Sequence, residues 1–248
     1  MALTKVGKEG VVGLDNSADA TAITITSAEN VGIGTASPTA LSNYTSVVAN
    51  NSTGSMFELM VGGTRTANMQ TSASAMNIQT RTSIPMIFDT NSTEAMKIDA
   101  NGHVTLAKQP SFLARPASTI ENLPINTNTT VTFGTETFDR NADYNNSNYT
   151  FTAPIEGLYQ LSTTIYLQSL DHDTSYYGVD LITSNRTFYA ITSMSGYDAD
   201  VAYFSFHISA LADMDANDTA LVKISIPNSG AAQADISTGS HFTGYLVC

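Results

Sequence analysis

The chain has 248 residues, 42% of them hydrophobic and only 13% charged, with a formal net charge of −12. Its single cysteine is the last residue, Cys248, so no disulfide can form within one chain, and no run is long and apolar enough to cross a bilayer. So anionic a balance excludes nucleic-acid binding, which rests on neutralising phosphates with basic side chains, and disfavours docking on anionic membranes.

The polar residues are mainly Ser, Thr, Asn and Asp, which favour strands, turns and local backbone bonds over helix interiors. No stretch shows a sustained three-and-four period with caps, so the reading is all-β. Charge is unevenly placed. Residues 1–108 carry six basic and eight acidic side chains, and residues 109–248 carry four and fourteen. That contrast sets a functional boundary near Lys108.

Residues 1–20 hold Lys5, Lys8, Gly7, Gly10 and Gly13 with little apolar content. We expect an anchor ordered by a partner. No apolar run follows Met1-Ala2-Leu3-Thr4-Lys5, so no secretion leader is expected and the chain reads as made in a reducing cytoplasm, with Cys248 a free thiol.

Residues 21–108 read as short alternating pieces: Ile23/Ile25, Val31/Ile33, Met56–Val61, Met76–Ile78, Ile84–Phe88 and Met96–Ile98. Asp99-Ala100-Asn101-Gly102 then makes a turn, returning through His103–Leu106. Each piece buries two or three medium side chains at ~1.5–3 kcal/mol apiece, while ordering each backbone residue costs ~1–2 kcal/mol. A lone copy balances poorly. Three chains wound together would let each apolar face pack on copies of itself, so residues 21–108 are expected to form an elongated, intertwined β shaft.

One phrase here is Asn30-Val31-Gly32-Ile33-Gly34-Thr35 with Pro38 behind it; another runs from Thr93-Glu94-Ala95-Met96 through Ile98-Asp99 to Gly102-His103-Val104. Both resemble phrases of bacteriophage tail-fibre and appendage proteins. In those proteins the second phrase usually leads into the first, and many end in a self-cleaving chaperone domain. Here the order is reversed, each phrase is single and no such domain is expected. The resemblance implies a virion fibre anchored through residues 1–20.

The second half carries Phe133, Asp139, Tyr144, Phe151, Gly157 and Tyr159 in fixed spacing, and ends His241-Phe242-Thr243-Gly244-Tyr245-Leu246-Val247. Thr150-Phe151-Thr152 alternates and is closed by Pro154, which cannot donate to a ladder. Gly157 suits a corner, by positive φ or by close backbone approach. From Leu158 to Gln168 the apolar set is Tyr159, Leu161, Thr163, Ile165 and Leu167, which predicts a long strand with one buried face. Phe133, Phe151 and Tyr159 are then core aromatics.

These motifs resemble the globular head of the complement q-subcomponent family, a jelly roll related to tumour necrosis factor, over Pro110 to Cys248. The departures are Leu161 and Thr163, where that family usually carries Phe and an aromatic. The resemblance implies a ten-strand, trimeric jelly-roll sandwich over 109–248. Its fold motif would be Phe133, Tyr144, Phe151, Gly157, Tyr159, Phe242, Gly244 and Tyr245.

No catalytic constellation emerges. The four histidines lack cysteine partners or a His-x-x-x-His pair, and no Gly-x-Ser-x-Gly or phosphate-cradling loop occurs. Asp213 to Asp218 begins like a calcium loop, but Asp218 stands where Gly is needed and Ile224 where Glu is needed. It reads as a turn between His207–Leu211 and Leu221–Ile226, and Asp171-His172-Asp173 reads as a solvated loop. No metal, cofactor or reaction is expected. Ten of the eleven tyrosines lie in the second half. Tyr144, Tyr149, Tyr159, Tyr166, Tyr203 and Tyr245 fall in strand patterns, as core or intersubunit residues. Tyr176, Tyr177, Tyr189 and Tyr197, with Asp198, fall in loop-like stretches suited to contacting a receptor.

The expectation is a homotrimeric, non-catalytic bacteriophage virion fibre, assembled in the host cytoplasm. Its N-terminus joins the tail or the capsid, and its head binds a host-surface glycan or protein. A tail fibre leads; a capsid decoration fibre with an adhesive or stabilising role is the alternative. A secreted adhesive protein of a cellular organism fits less well, lacking leader, disulfides and a collagen-like stalk.

Overall fold

The computed structural model describes residues 23–25, 30–33, 38, 44–194, 196–227 and 234–248; the expected anchor, residues 1–20, lies outside the described residues. Among the described residues there is no helix, and the chain is all-β. It divides into two compact units: Met1–Phe88 with Lys97–Val104, and Asp89–Met96 with Thr105–Cys248.

The front of the chain is built from three three-stranded sheets. β1 (Ile23–Ile25) pairs antiparallel with β2 (Val31–Ile33), which pairs parallel with β3 (Val47–Ala49). β4 (Gly54–Val61), β5 (Thr64–Ser72) and β6 (Met76–Thr80) form an antiparallel meander. Gly62 and Gly63 turn β4 into β5 with φ of 57° and 79°, a region that favours glycine. β7 (Met86–Thr90), β8 (Thr93–Ile98) and β9 (Val104–Leu106) complete the set. The expected Asn-Gly turn precedes β9: Gly102 sits at φ 90°, and Asp99 Oδ1 accepts from the Asn101 and His103 amides at 2.8 and 2.9 Å.

The second unit holds β10 (Ser111–Arg115), β11 (Asn128–Thr130), β12 (Thr135–Arg140), β13 (Tyr144–Asn145), β14 (Thr150–Thr152), β15 (Gly157–Leu170), β16 (Tyr176–Thr183), β17 (Thr187–Ser193), β18 (Val201–Met214), β19 (Thr219–Ser225), β20 (Asp235–Ile236) and β21 (His241–Leu246). Ten of these have three residues or more; β13 and β20 are two-residue pairings. One sheet runs β12-β10-β21-β15-β18 with β20 beside β15, and the other runs β13-β14-β19-β16-β17 with β11 beside β19. All the recorded pairings are antiparallel, and the two sheets enclose one core as a jelly roll.

The spaced motif now has a physical cause. The Asp139 carboxylate accepts from the amides of Asp143 and Tyr144 at 3.2 and 3.0 Å, holding the loop after β12. The Tyr144 hydroxyl reaches back and donates to the Phe133 carbonyl at 3.1 Å. Tyr144 pairs across strands with Phe151, and Phe112 stacks on both rings. The Tyr159 hydroxyl donates to the Ile155 carbonyl at 2.8 Å.

Gly157 is a close approach and has no positive φ: a Cβ there would stand 2.6 Å from the Cys248 carbonyl oxygen. Along β15, Tyr159, Leu161, Thr163, Ile165 and Leu167 are all buried. Thr163, the one polar member of the row, satisfies its hydroxyl by donating to the His241 carbonyl at 2.8 Å.

Candidate functional site

Which side chains this sandwich leaves for recognition follows from strand parity. On β16, Tyr177, Val179 and Leu181 point into the core, so Tyr176, Gly178, Asp180 and Ile182 point out. The register sets Asp180 opposite Tyr189, Gly178 opposite Ile191 and Tyr176 opposite Ser193. β17 is the sheet edge, with Tyr189 at 69% and Ile191 at 64% exposure.

Gly178 leaves a dip between the two strands. A Cβ there would meet Ser225 Oγ at 3.2 Å and Tyr176 Cε2 at 3.3 Å, so the Tyr176 ring borders the dip. Beyond it Asp180 faces Lys223 across β16–β19 and takes a hydrogen bond from Asn128 Nδ2 at 3.3 Å. The surface thus combines aromatic and aliphatic area with one acid, one base and an amide. That suits binding a sugar ring or a protein edge.

The loops at one end of these strands are tied by a histidine. His172, between β15 and β16, has its Nδ1 2.8 Å from Asp200 Oδ1, and its amide donates to the same oxygen at 3.1 Å. Asp173 and Asp171 lie 3.5 and 3.9 Å from the ring. The Asp200 hydrogen bond, joined by these carboxylates, raises the His172 pKa, and the same bond lowers that of Asp200. Asp171, His172 and Asp200 present ligand atoms within 4.8 Å of one another. A divalent cation would have to break the His172–Asp200 hydrogen bond to use them, so the loop clamp is the better reading of the geometry.

Of the residues expected to contact a receptor, Tyr176 and Tyr189 share the outer face, while Tyr197 and Asp198 are exposed in the loop after β17. Tyr177 is a correction. It is fully buried, its oxygen accepts from the Asp171 amide at 2.9 Å, and burial raises its pKa. Strand parity could have separated it from Tyr176.

Tyr245 is also corrected as a core residue. It is 50% exposed, because its neighbours Phe242, Gly244 and Leu246 set the opposite phase. Tyr203 is exposed as well, with its ring 5.7 Å from that of Tyr166. Tyr245, Gln160 and Leu211 form a row across β21, β15 and β18 on the outer surface of their sheet. Sequence reasoning missed Ile191, Gly178 and Asp200: Ile191 reads as an ordinary strand residue, and Asp200 is remote in sequence from His172.

A C1q domain model matches residues 112–247. No curated protein matches the chain. The globular domain of zebrafish complement 1qA is similar over 56% of this chain and 98% of its own, at 14% identity and a TM-score of 0.44. Murine APRIL aligns over 56% of this chain and 100% of its own, at 16% identity and TM-score 0.41. The Eiger TNF of S. frugiperda covers 56% and 92%, at 12% identity and TM-score 0.41.

Proposed function

The chain belongs to the C1q domain family, and from that premise we propose that it is a homotrimeric, non-catalytic recognition protein whose head meets its target through the outer face of β16 and β17. Domains of this family form homotrimers and are generally binding modules. The observation that carries the reading is the pair Tyr189 and Ile191, side by side and uncovered on an edge strand, next to the dip at Gly178. Contiguous exposed apolar area rimmed by polar groups is the usual mark of an interaction surface. The row Tyr245, Gln160 and Leu211 is assigned to contacts between copies, which removes both apolar members from water.

The setting we propose is a bacteriophage virion, with the chain as a tail fibre and the head directed at a host-surface glycan or protein. This rests on the two fibre-like phrases at Asn30 and Thr93. Residues 1–20 would supply the attachment end. Weak single contacts suffice there, because many copies on one particle raise the effective concentration.

The tests separate these levels. Sedimentation of the full chain is expected to give three times 26.3 kDa; a single-chain mass would end the homotrimer reading. Imaging of particles carrying a labelled copy should place density on the tail, and density confined to the capsid surface would move the address. Incubation with host polysaccharide should release no new reducing ends.

A further inference from the structure

The meander β4–β5–β6 has its two faces the wrong way round for a chain alone in water. Its register stacks Phe57, Met69 and Ile78 in one row, with Ser55, Thr71 and Met76 in the row before and Leu59, Ala67 and Thr80 in the row after. All nine share one face. Its large members are uncovered, with Phe57, Met76 and Ile78 at 65%, 66% and 58% exposure, and Leu59 and Met69 also exposed. A groove of about 390 Å³ lies beside Phe57, Met69, Thr71 and Met76, with Met56 and Gln70 of the opposite face also in its lining.

The opposite face sets Glu58, Asn68, Gln70 and Gln79 beside the exposed Met56 and Met60, and most of its polar members are better covered. Asn68 is buried there, accepts from Arg81 Nε at 2.7 Å and donates to Gln70 Oε1 at 3.1 Å, while Arg65 pairs with Glu58 at 2.6 Å. The charged side chains Glu58 and Arg65 are confined to that side or to the turn end.

We propose that the Phe57–Met69–Ile78 face is a self-association surface, closed by the same face of two further copies of this chain. The inference rests on the threefold head proposed above and adds a second, separate interface in front of the family domain. Three arguments select this occupant. The face carries no charge, so a charged partner gains nothing from it. Its five large side chains stand 44–66% exposed in a single copy, so closing the face takes all of them out of water together. And a trimeric head tethers three copies of this meander through one continuous backbone, at an effective concentration on the order of millimolar. A homotrimer supplies matching apolar faces in the right number.

The test uses the full chain with Cys248→Ser. Met69→Cys places a thiol on the apolar face and Gln70→Cys one on the polar face. A tris-maleimide should join three Met69→Cys chains into one denaturant-resistant band and leave Gln70→Cys chains single. Two-chain products alone, or equal linking of both variants, would overturn the threefold face. In parallel, Phe57→Asp with Ile78→Asp should raise tryptic cleavage after Arg65 and Arg81 about tenfold, since cleavage follows the uncovered population. Cleavage unchanged from the parent would mean that nothing covers this face. A parent chain sedimenting as one copy removes the head reading; a three-copy parent that fails the cross-link removes only this inference.

Discussion

The ring of Phe112 lies nearly parallel to that of Phe151, with centroids 4.8 Å apart and planes 15° from each other. Phe112 belongs to β10 in one sheet and Phe151 to β14 in the other, so the stack joins the two layers. Tyr144 also stacks on Phe112, with centroids 5.0 Å apart, and Phe242 meets Phe112 edge-on at 4.9 Å. Replacing Phe151 by Ala should therefore cost about 3–5 kcal/mol, from lost burial and an unfilled cavity. Denaturant unfolding at fixed chain concentration reads this directly. An unchanged midpoint would show that the aromatic cluster does not hold the layers.

Gly244 is required by what lies over it. A Cβ added there would stand 2.5 Å from Leu161 Cδ2 and 2.9 Å from Phe112 Cε1, both in fully buried side chains. Gly244→Ala should cost about 1–3 kcal/mol through overpacking. Gly239→Ala is the control: its nearest contact would be Tyr166 Cδ1 at an ordinary 3.6 Å, so a change within about 0.5 kcal/mol is expected. Equal losses from both variants would remove the packing explanation.

The sandwich was legible because its motif residues act locally. Asp139 and Tyr144 close the loop that sets their own spacing, and Tyr159 to Leu167 alternate without interruption. β5 was not legible: Thr64–Ser72 is polar at nearly every position, and its pairing on both sides is what makes it a strand. β3, only three residues long, was missed for the same reason, since Val47–Ala49 is fixed by its parallel partner β2. The site was half legible. Tyr176 and Tyr189 stood out as tyrosines beside polar residues, but their common face depends on a cross-strand register that composition does not carry. Asp200 becomes a partner of His172 only when two loops converge.

That convergence makes the loop end pH-dependent. His172 is raised, so its contribution is complete below the ordinary imidazole value of about 6.5 and fades as pH climbs through the raised one. Asp200 is lowered, so its contribution is complete above the ordinary carboxylate value of about 3.9 and fades as pH falls through the lowered one. The clamp should be tightest between about pH 4 and 6.5. In an NMR titration, Asp200→Asn should bring the His172 midpoint down towards that of a free imidazole. A midpoint unmoved by the substitution would show that the two loops are held by something else.

Tyr189 and Ile191 offer the sharpest test of the recognition face, because their exposure uncouples binding from stability. Tyr189→Ala with Ile191→Ser should change stability by less than about 0.5 kcal/mol. Loss of an aromatic anchor at a binding surface is typically worth 2 kcal/mol or more, so attachment of the full chain to its target cells should fall about thirtyfold or further. Several heads acting together would steepen that loss. Gly178→Ala probes the same surface from beneath. The atoms nearest its Cβ would be Ser225 Oγ and the Tyr176 ring edge, both in side chains, so the Tyr176 ring should shift while the strand stays paired. Attachment should weaken with little change in unfolding. Tyr197→Ala, in the neighbouring loop, discriminates the two regions: if it abolishes attachment while the Tyr189/Ile191 variant binds normally, the contact lies at the loop end clamped by His172 and the strand face is not the receptor surface.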